Sequence, residues 1–540
     1  MAIASGLVLA VAPAASAADP NFCQLDPNPP EPSPRIVSGE VDGIPYNVLL
    51  PPDYAAGARR YPTLYLLPGR QYSEHSWLRK TDLAKFTEGL TGDRAAIVVT
   101  PSMGVDNWAF DYYDGSQDWE RFAFERLIPH IDSRFRTIAD GSQRAVGGFS
   151  AGAAGALRWA AHRPGTFAAV GGFSGPVPLT TPDEPYAGPG EVEPSPGAGS
   201  PGPPRGPADD PYGRPRPECN SGGDPVGRRV DNGWFWHGND AGSLAVNLRG
   251  LGVYFSSGTG ASCGPQDARD PVLLAGAEPG VRTRNEEFER VLEEAGVAHT
   301  FDRLPCGVHN MVTAELGLHA FWDVMVRSFG RRVPASFDYR SVFADSEAWG
   351  WTFRADAGRA PEFVEVRGAS AAGLTLVGSG TETVVTAPLF DPGESVAVEG
   401  ALPASATADA AGRLTIAADL GPPAASPQFS GEERRWVARR VRFTRTRAVT
   451  MAAAFPAGRP CSRAGTLTIR LRHPGPGERR RSVAVSVNGT RVVVRRTRAG
   501  AARKTVVLRG LPDGVLRVGV RVRTTRGRTL KAARTYPACR

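Results

Sequence analysis

Several landmarks of other protein classes are missing from this chain, and acidic residues almost vanish from one stretch of it. The six cysteines (Cys23, Cys219, Cys263, Cys306, Cys461, Cys539) contain no C-x-x-C pair, which excludes the usual zinc-ribbon and thioredoxin-type spacings and favours three disulfides in an exported chain. We expect Cys461 to pair with Cys539 and Cys263 with Cys306. No apolar run beyond the first twenty residues approaches the roughly 18 that a membrane span needs. No Lys or Arg precedes the opening run "MAIASGLVLAVAPAASAADP", but that run ends in Ala15-Ser16-Ala17, the small-x-small pattern of a signal-peptidase site. A signal peptide over 1–17 and secretion, with cell-wall association, are the expectation; a start upstream of Met1 and a buried apolar helix are the alternatives.

Residues 431 to 540 hold 4 Asp and Glu against 29 Lys and Arg, a net +25 inside a chain of +8, which leaves −17 on the remainder. This makes the C-terminal region a candidate for binding an anionic cell-wall polymer by counterion release; nucleic acid is not the expected partner. Only 4 of the 63 basic residues are Lys, a bias of genome composition, so the competing reading is a soluble β-domain with arginines on its exposed faces.

What is present is the patterning of a layered enzyme. Between 35 and 330, buried runs such as "YPTLYLLPG", "AAIVVTPSMG", "RAVGGFS", "FAAVGGFSG" and "LGVYFSSG" alternate with amphipathic stretches such as "WERFAFERLIPHIDSRF", "AGAAGALRWAAHRP" and "RNEEFERVLEEAG". Strands separated by helices predict a doubly wound, mostly parallel α/β sheet covered on both faces, of the α/β-hydrolase kind. Residues 178–232, rich in Pro and Gly, lack the apolar surface to order themselves and read as a flexible insertion. After Pro334 short alternating runs separated by turn residues predict two all-β, sandwich-like domains, 335–430 and a basic one over 438–540. Asn488-Gly489 marks a hairpin in the second.

Gly148-Phe149-Ser150-Ala151-Gly152 fits G-x-S-x-G between a predicted strand and a predicted helix, the context in which a serine stands on a sharp turn at the rim of the sheet. A hydroxyl needs a base and an anion trap. His309 lies in "LPCGVHNM", after the last predicted strand. For the acid, Asp267 and Asp270 follow the "VYFSSG" strand, and Glu278 stands seven residues before a helix expected to open near Asn285; position alone favours the aspartates. Among aromatic residues in loops at the carboxyl ends of strands, where ligands bind in such sheets, Trp77 and Trp108 are the candidates for an apolar substrate pocket.

"AVGGFSAGAAGALRWAAHRPGTFAAVGGFSG", "WERFAFERLIPHIDSRF" and "NEEFERVLEEAGVAHTFDRLPCGVH" together resemble the putative-esterase family, which includes esterase D, bacterial feruloyl esterases and the antigen 85 mycolyltransferases. The resemblance covers roughly 35–330. It implies Glu278 as the acid, because "EPGVRTRNEEF" matches the mycolyltransferase register of a glutamate upstream of an N-x-x-F helix, and it implies the backbone amides of Arg70 and Ala151 as the oxyanion hole. Two departures stand out: Pro68 replaces the acidic residue of "LLDG", and His309-Asn310-Met311 replaces "HSW", so the acceptor recognition of that branch is not carried over. The expected activity is hydrolysis of a small-molecule, lipid or polysaccharide ester through Ser150, without metal or organic cofactor. Transfer of an acyl chain to a sugar or glycerol hydroxyl is the first alternative, and a non-catalytic cell-wall-binding protein the second.

Overall fold

A computed structural model describes residues 26, 28–104, 108–177, 229–270, 277–431, 434–445, 453–456, 466–471, 480–492, 505–512, 514–525 and 529–538. The proposed signal segment, nearly all of the 178–232 insertion, and Cys23, Cys219, Cys461 and Cys539 lie outside these residues. The chain divides into two compact units: one runs to residue 389 and takes in 399–403 and 413–442, the other comprises 390–398, 404–412 and 443–540.

The first unit is built on an eight-stranded sheet. Its strands are β1 (Ile36–Val41), β2 (Ile44–Leu49), β3 (Thr63–Leu67), β4 (Ile97–Pro101), β5 (Arg144–Phe149), β6 (Ala169–Phe173), β7 (Gly252–Ser257) and β8 (His299–Arg303). Their order is β1-β2-β4-β3-β5-β6-β7-β8; β1 and β2 run antiparallel at one edge and the six others are parallel. β3 to β7 are buried at nearly every position, which is why they read as continuous apolar runs rather than as alternations.

Helices cover both faces. They are α1 (Ser76–Arg79), α2 (Leu83–Phe86), α3 (Trp119–Phe122), α4 (Ile128–Arg134), α5 (Ala151–His162), α6 (Arg229–Gly238), α7 (Ala277–Glu294) and α8 (Met311–Ser328). A π-helical turn over Ala123–Leu127 joins α3 to α4. Pleating sends Tyr65, Leu67, Val146 and Val170 to the face covered by α5, and Leu64, Leu66, Ala145 and Ala169 to the face covered by α8. Among the described residues no helix is long and apolar enough to cross a membrane.

α7 begins eight residues before the helix start read from the sequence, so Glu278 stands in its first turn instead of in a preceding loop. Pro279, which looks like a helix breaker, is harmless there because first-turn N–H groups have no intrahelical acceptor.

The same unit continues into two antiparallel sheets. β9 (Phe337–Ser341), β12 (Val364–Ser370), β13 (Gly373–Gly378) and, up to residue 442, β18 (Val437–Arg445) pair in one; β10 (Asp345–Ala348), β11 (Trp351–Ala355), β14 (Thr381–Val385) and β17 (Thr415–Asp419) form the other. Tyr339 of β9 stacks on Phe353 of β11 at 5.8 Å, and Phe337 meets Trp351 edge-on, as facing layers of a sandwich do.

The second unit holds the hairpin β15 (Ser395–Glu399) and β16 (Ser405–Thr407) and two further antiparallel sheets. β19 (Ala453–Ala454), β20 (Leu467–Leu471) and β23 (Thr505–Leu508) form one; β21 (Arg480–Val487), β22 (Thr490–Val492), β24 (Leu516–Thr524) and β25 (Thr529–Tyr536) form the other. Along β24, Leu516, Val518, Val520 and Val522 are buried while Arg517, Arg521 and Arg523 are exposed. Asn488 and Gly489, with φ of 49° and 86°, make the tight turn expected between β21 and β22.

Candidate active site

Ser150 sits at the junction of β5 and α5 with φ 54° and ψ −120°, a conformation that costs a non-glycine residue energy. Two glycines make the turn sterically feasible. A Cβ on Gly148 would come 2.3 Å from the Gly152 carbonyl oxygen, and one on Gly152 would come 2.3 Å from that of Pro68. The Ser150 N–H donates to the Phe173 carbonyl at the end of β6 (3.0 Å), and the Ser150 carbonyl accepts from Ala153 (2.9 Å). The side chain is left half-buried at the carboxyl rim of the sheet.

Three of the residues singled out in the sequence meet there. Ser150 Oγ lies 2.9 Å from His309 Nε2, and His309 Nδ1 lies 2.8 Å from Glu278 Oε2. A carboxylate only accepts, so Nδ1 carries the proton and Nε2 is left to accept from the serine hydroxyl. Glu278 is fully buried, and its other oxygen accepts from the Gly258 N–H (2.5 Å) and the Ser174 hydroxyl (2.8 Å). Burial by itself would raise its pKa; the hydrogen bond and charge of His309, helped by Gly258 and Ser174, outweigh burial and hold the carboxyl below its ordinary range.

The histidine loop is tied down from several sides. Cys263 and Cys306 form the expected disulfide. Gly260 N–H donates to Gly307 O (2.8 Å), and Gly307 N–H to Ala261 O (2.7 Å). One turn beyond Glu278, Arg282 donates to the carbonyls of Ser257, Gly258 and Leu304. The Phe149 ring lies 5.0 Å from the His309 ring.

The remaining sequence candidates are distributed as follows. Ala151 opens α5, so its N–H has no intrahelical acceptor and stands at the positive end of the helix dipole. Arg70 follows Gly69, whose Cβ position would be 3.3 Å from Ser150 Cβ, which puts the loop after β3 beside the serine. Asp267 instead accepts from Cys263 N–H and Ser262 Oγ. Asp270 accepts from Tyr72 and Met311. Neither aspartate bonds to the imidazole, and the positional preference for them over Glu278 is not what the geometry delivers.

Trp77 is fully buried, donates its indole N–H to Leu67 O (3.1 Å) and packs edge-on to Phe173. Trp108 is buried on the other face of the sheet, its carbonyl accepting from Arg158 (2.7 Å). Both indoles, the candidates for an apolar substrate pocket, are buried in the core on opposite faces of the sheet, and the short α1 turns Trp77 inward.

Ser174 escaped the sequence reading, although a signal for it exists. AVGGFS occurs at 145–150 and again at 169–174, on adjacent parallel strands paired residue for residue. Elsewhere, Asp82, Glu315 and His319 bring three metal-capable atoms together, but Glu315 already accepts from the Asp82 backbone N–H and pairs with Arg269, each at 2.5 Å, and His319 bonds to the Asp82 carboxylate (3.0 Å).

A mostly parallel sheet with a serine on the strand–helix turn, and an imidazole and a carboxylate in line with it, is the arrangement of a serine α/β-hydrolase-type site. The Esterase family model, described as "Putative esterase", matches residues 42–313, half of the chain, and the chain belongs to that family. It is 39% identical to Esterase Rv1288 of Mycobacterium tuberculosis over 136 residues, 25% of this chain and 29% of that one. It is 31% identical to an endo-1,4-beta-xylanase/feruloyl esterase of Xylanibacter ruminicola over 141 residues, 24% and 19% of the two chains. The aligned region thus spans less than a third of the length of either relative. Among solved structures, a ferulic acid esterase (20% identity, TM-score 0.38) is covered over 97% of its length by 55% of this chain. Mycobacterium tuberculosis MPT51 (18%, TM-score 0.38) is covered over 100% of its length by 55% of this chain.

Proposed function

We propose that the protein is a secreted serine esterase that hydrolyses carboxylic esters through an acyl-enzyme on Ser150. His309 Nε2 takes the hydroxyl proton as Ser150 Oγ attacks the ester carbonyl. Glu278 holds the imidazole by Nδ1 and stabilises its charged form. The backbone N–H groups of Arg70 and Ala151 receive the oxyanion, each worth on the order of 3 kcal/mol in the transition state. His309 returns the proton to the leaving alcohol, and water, deprotonated by the same imidazole, releases the acid. The observation that carries this reading is the continuous line from the Ser150 hydroxyl through both ring nitrogens of His309 to a buried, ionised Glu278. The disulfide supports an oxidising compartment and hence secretion.

Turnover of p-nitrophenyl esters of graded acyl length, with feruloyl and acetyl-sugar esters included, tests it. Wild type turns over and Ser150→Ala does not; equal rates for both would leave the non-catalytic alternative standing. Hydrolysis is preferred over transfer because the acceptor-side motifs are altered at Pro68 and Asn310-Met311. Acyl transfer to glycerol or a sugar faster than to water would reverse that preference.

A second reading concerns the basic unit. The outward face of β21, β22, β24 and β25 forms a groove of about 900 Å³, in which Arg491, Arg521, Arg523 and Lys531 surround Ala484, Ser486, Gly519 and Ala533. Small residues flanked by cations support the docking of an anionic wall polysaccharide, and among the described residues no aromatic ring lines the groove on which a nucleic-acid base would stack. On immobilised heparin the full chain should elute at higher salt than an Arg521→Ser/Arg523→Ser variant. Identical elution would remove the groove as a polymer site, and tighter retention on double-stranded DNA would favour nucleic acid.

A further inference from the structure

Asp270 has three donors converging on its carboxylate and a use for each. It is 2% exposed. Its Oδ2 accepts from the Met311 N–H (2.8 Å) and from the Tyr72 hydroxyl (2.8 Å). Its Oδ1 pairs with Lys80 Nζ at 2.9 Å, and its backbone carbonyl accepts from Asn310 Nδ2 (3.2 Å). Met311 is two residues beyond His309 and opens α8, so its N–H is one of the orphan donors at the positive end of that helix, where a carboxylate is favourable. Tyr72 closes the turn that contains Arg70, its N–H donating to Gly69 O (3.0 Å), and its ring stands edge-on to Phe149 (5.6 Å). Burial, with the neighbouring Asp270 second, holds the Tyr72 phenol well above its ordinary pKa, so it stays a donor across the working range.

We propose that Asp270 is a positioning residue that ties the loop carrying the base, His309, to the loop carrying the oxyanion donor, Arg70, and so fixes the distance between the two halves of the reaction centre. The inference rests on the reading of Ser150 and His309 given above. A single oxygen bonded to both loops couples them directly: a shift of either loop must lengthen one of the two hydrogen bonds. Asparagine has one acceptor oxygen in place of two and would turn an N–H₂ toward Lys80 or toward the Met311 and Tyr72 donors, so it cannot serve all three.

The test compares Tyr72→Phe, Asp270→Asn and the double variant in the full chain, with kcat expressed per active site from the p-nitrophenol burst, so that loss of folded protein does not count as loss of rate. Tyr72→Phe removes one oxygen and keeps the ring on Phe149. It should lower kcat about tenfold, the size of one charge-assisted hydrogen bond, with KM within about twofold and little change in Tm. Asp270→Asn should lower kcat further, and the double variant should be no slower than Asp270→Asn alone, because both changes break the same tie. Wild-type kcat per site in Tyr72→Phe and Asp270→Asn, with only Tm reduced, would make Asp270 merely structural; so would multiplicative losses in the double variant. If Asp270→Asn does not fold, Tyr72→Phe alone decides. An inactive Ser150→Ala beside a fully active Tyr72→Phe sinks this inference and spares the esterase reading, whereas an active Ser150→Ala sinks both.

Discussion

Residues 145–150 and 169–174 have the same sequence, lie side by side in register, and end in a serine with left-handed backbone, φ 54° at Ser150 and 49° at Ser174. Each serine N–H donates to a carbonyl near the end of the next strand, that of Phe173, the last residue of β6, in one case and that of Ser256, the last but one of β7, in the other. Their side chains nevertheless have different partners. Ser150 stays half-buried and meets the imidazole, whereas Ser174 is fully buried and donates to Glu278. The chain that follows makes the difference. Ala151 and Gly152 start a helix at once and leave the hydroxyl at the rim, while Gly175 lies so close to α5 that a Cβ there would sit 2.5 Å from that of Ala153. A strand-end serine thus becomes a candidate nucleophile through its surroundings, and its twin bonds to Glu278.

Ser150→Ala should have the largest effect and lower kcat/KM by at least about 10⁴-fold, with Ser174 unable to substitute; an assay with a p-nitrophenyl ester reads it. Glu278→Gln should come next, at about 10⁴-fold, because the amide no longer favours the Nδ1–H tautomer or the charged ring. The same substitution has a signature in stability. Glu278 titrates below its ordinary 4.5 in the folded chain, so its ionised form stabilises the fold above that pH and the advantage disappears as pH falls through the lowered value. The Tm difference between wild type and Glu278→Gln should therefore be largest at neutral pH and shrink below pH 4.5. Gly152→Ala should destabilise by about 1–3 kcal/mol in urea unfolding, since its methyl group meets the Pro68 carbonyl oxygen, a backbone atom that does not swing aside. Ser174→Ala should have the smallest effect, about tenfold in kcat, as Glu278 keeps its Gly258 and His309 donors.

Much of this was legible in the chain. Runs such as "TLYLL" and "AVGGF" are apolar on both faces, so their burial in a parallel sheet follows from periodicity, and G-x-S-x-G marked Ser150 because strand and helix flank it. The carboxylate was harder, since Asp267, Asp270 and Glu278 all lie between β7 and His309, and position along the chain does not show that Glu278 is the one bonded to His309. Resemblance favoured Glu278 where position favoured the aspartates. The role of Asp270 had no local signal at all: its partner Tyr72 lies 198 residues away and Met311 41 residues away. Trp77 was not placed by the sequence because an aromatic residue in a loop beyond a strand end suits a pocket wall and a core equally well until the path of the loop is known.

Every chemical step proposed for this site requires Ser150 Oγ to be the atom that is acylated. Intact-mass and peptide mass spectrometry of the full chain after reaction with a fluorophosphonate measures this directly. One adduct should form, on the tryptic peptide 145–158 that contains Ser150, absent in Ser150→Ala and greatly slowed in His309→Asn. An unmodified wild type, or an adduct carried by Ser174 in its stead, would contradict it.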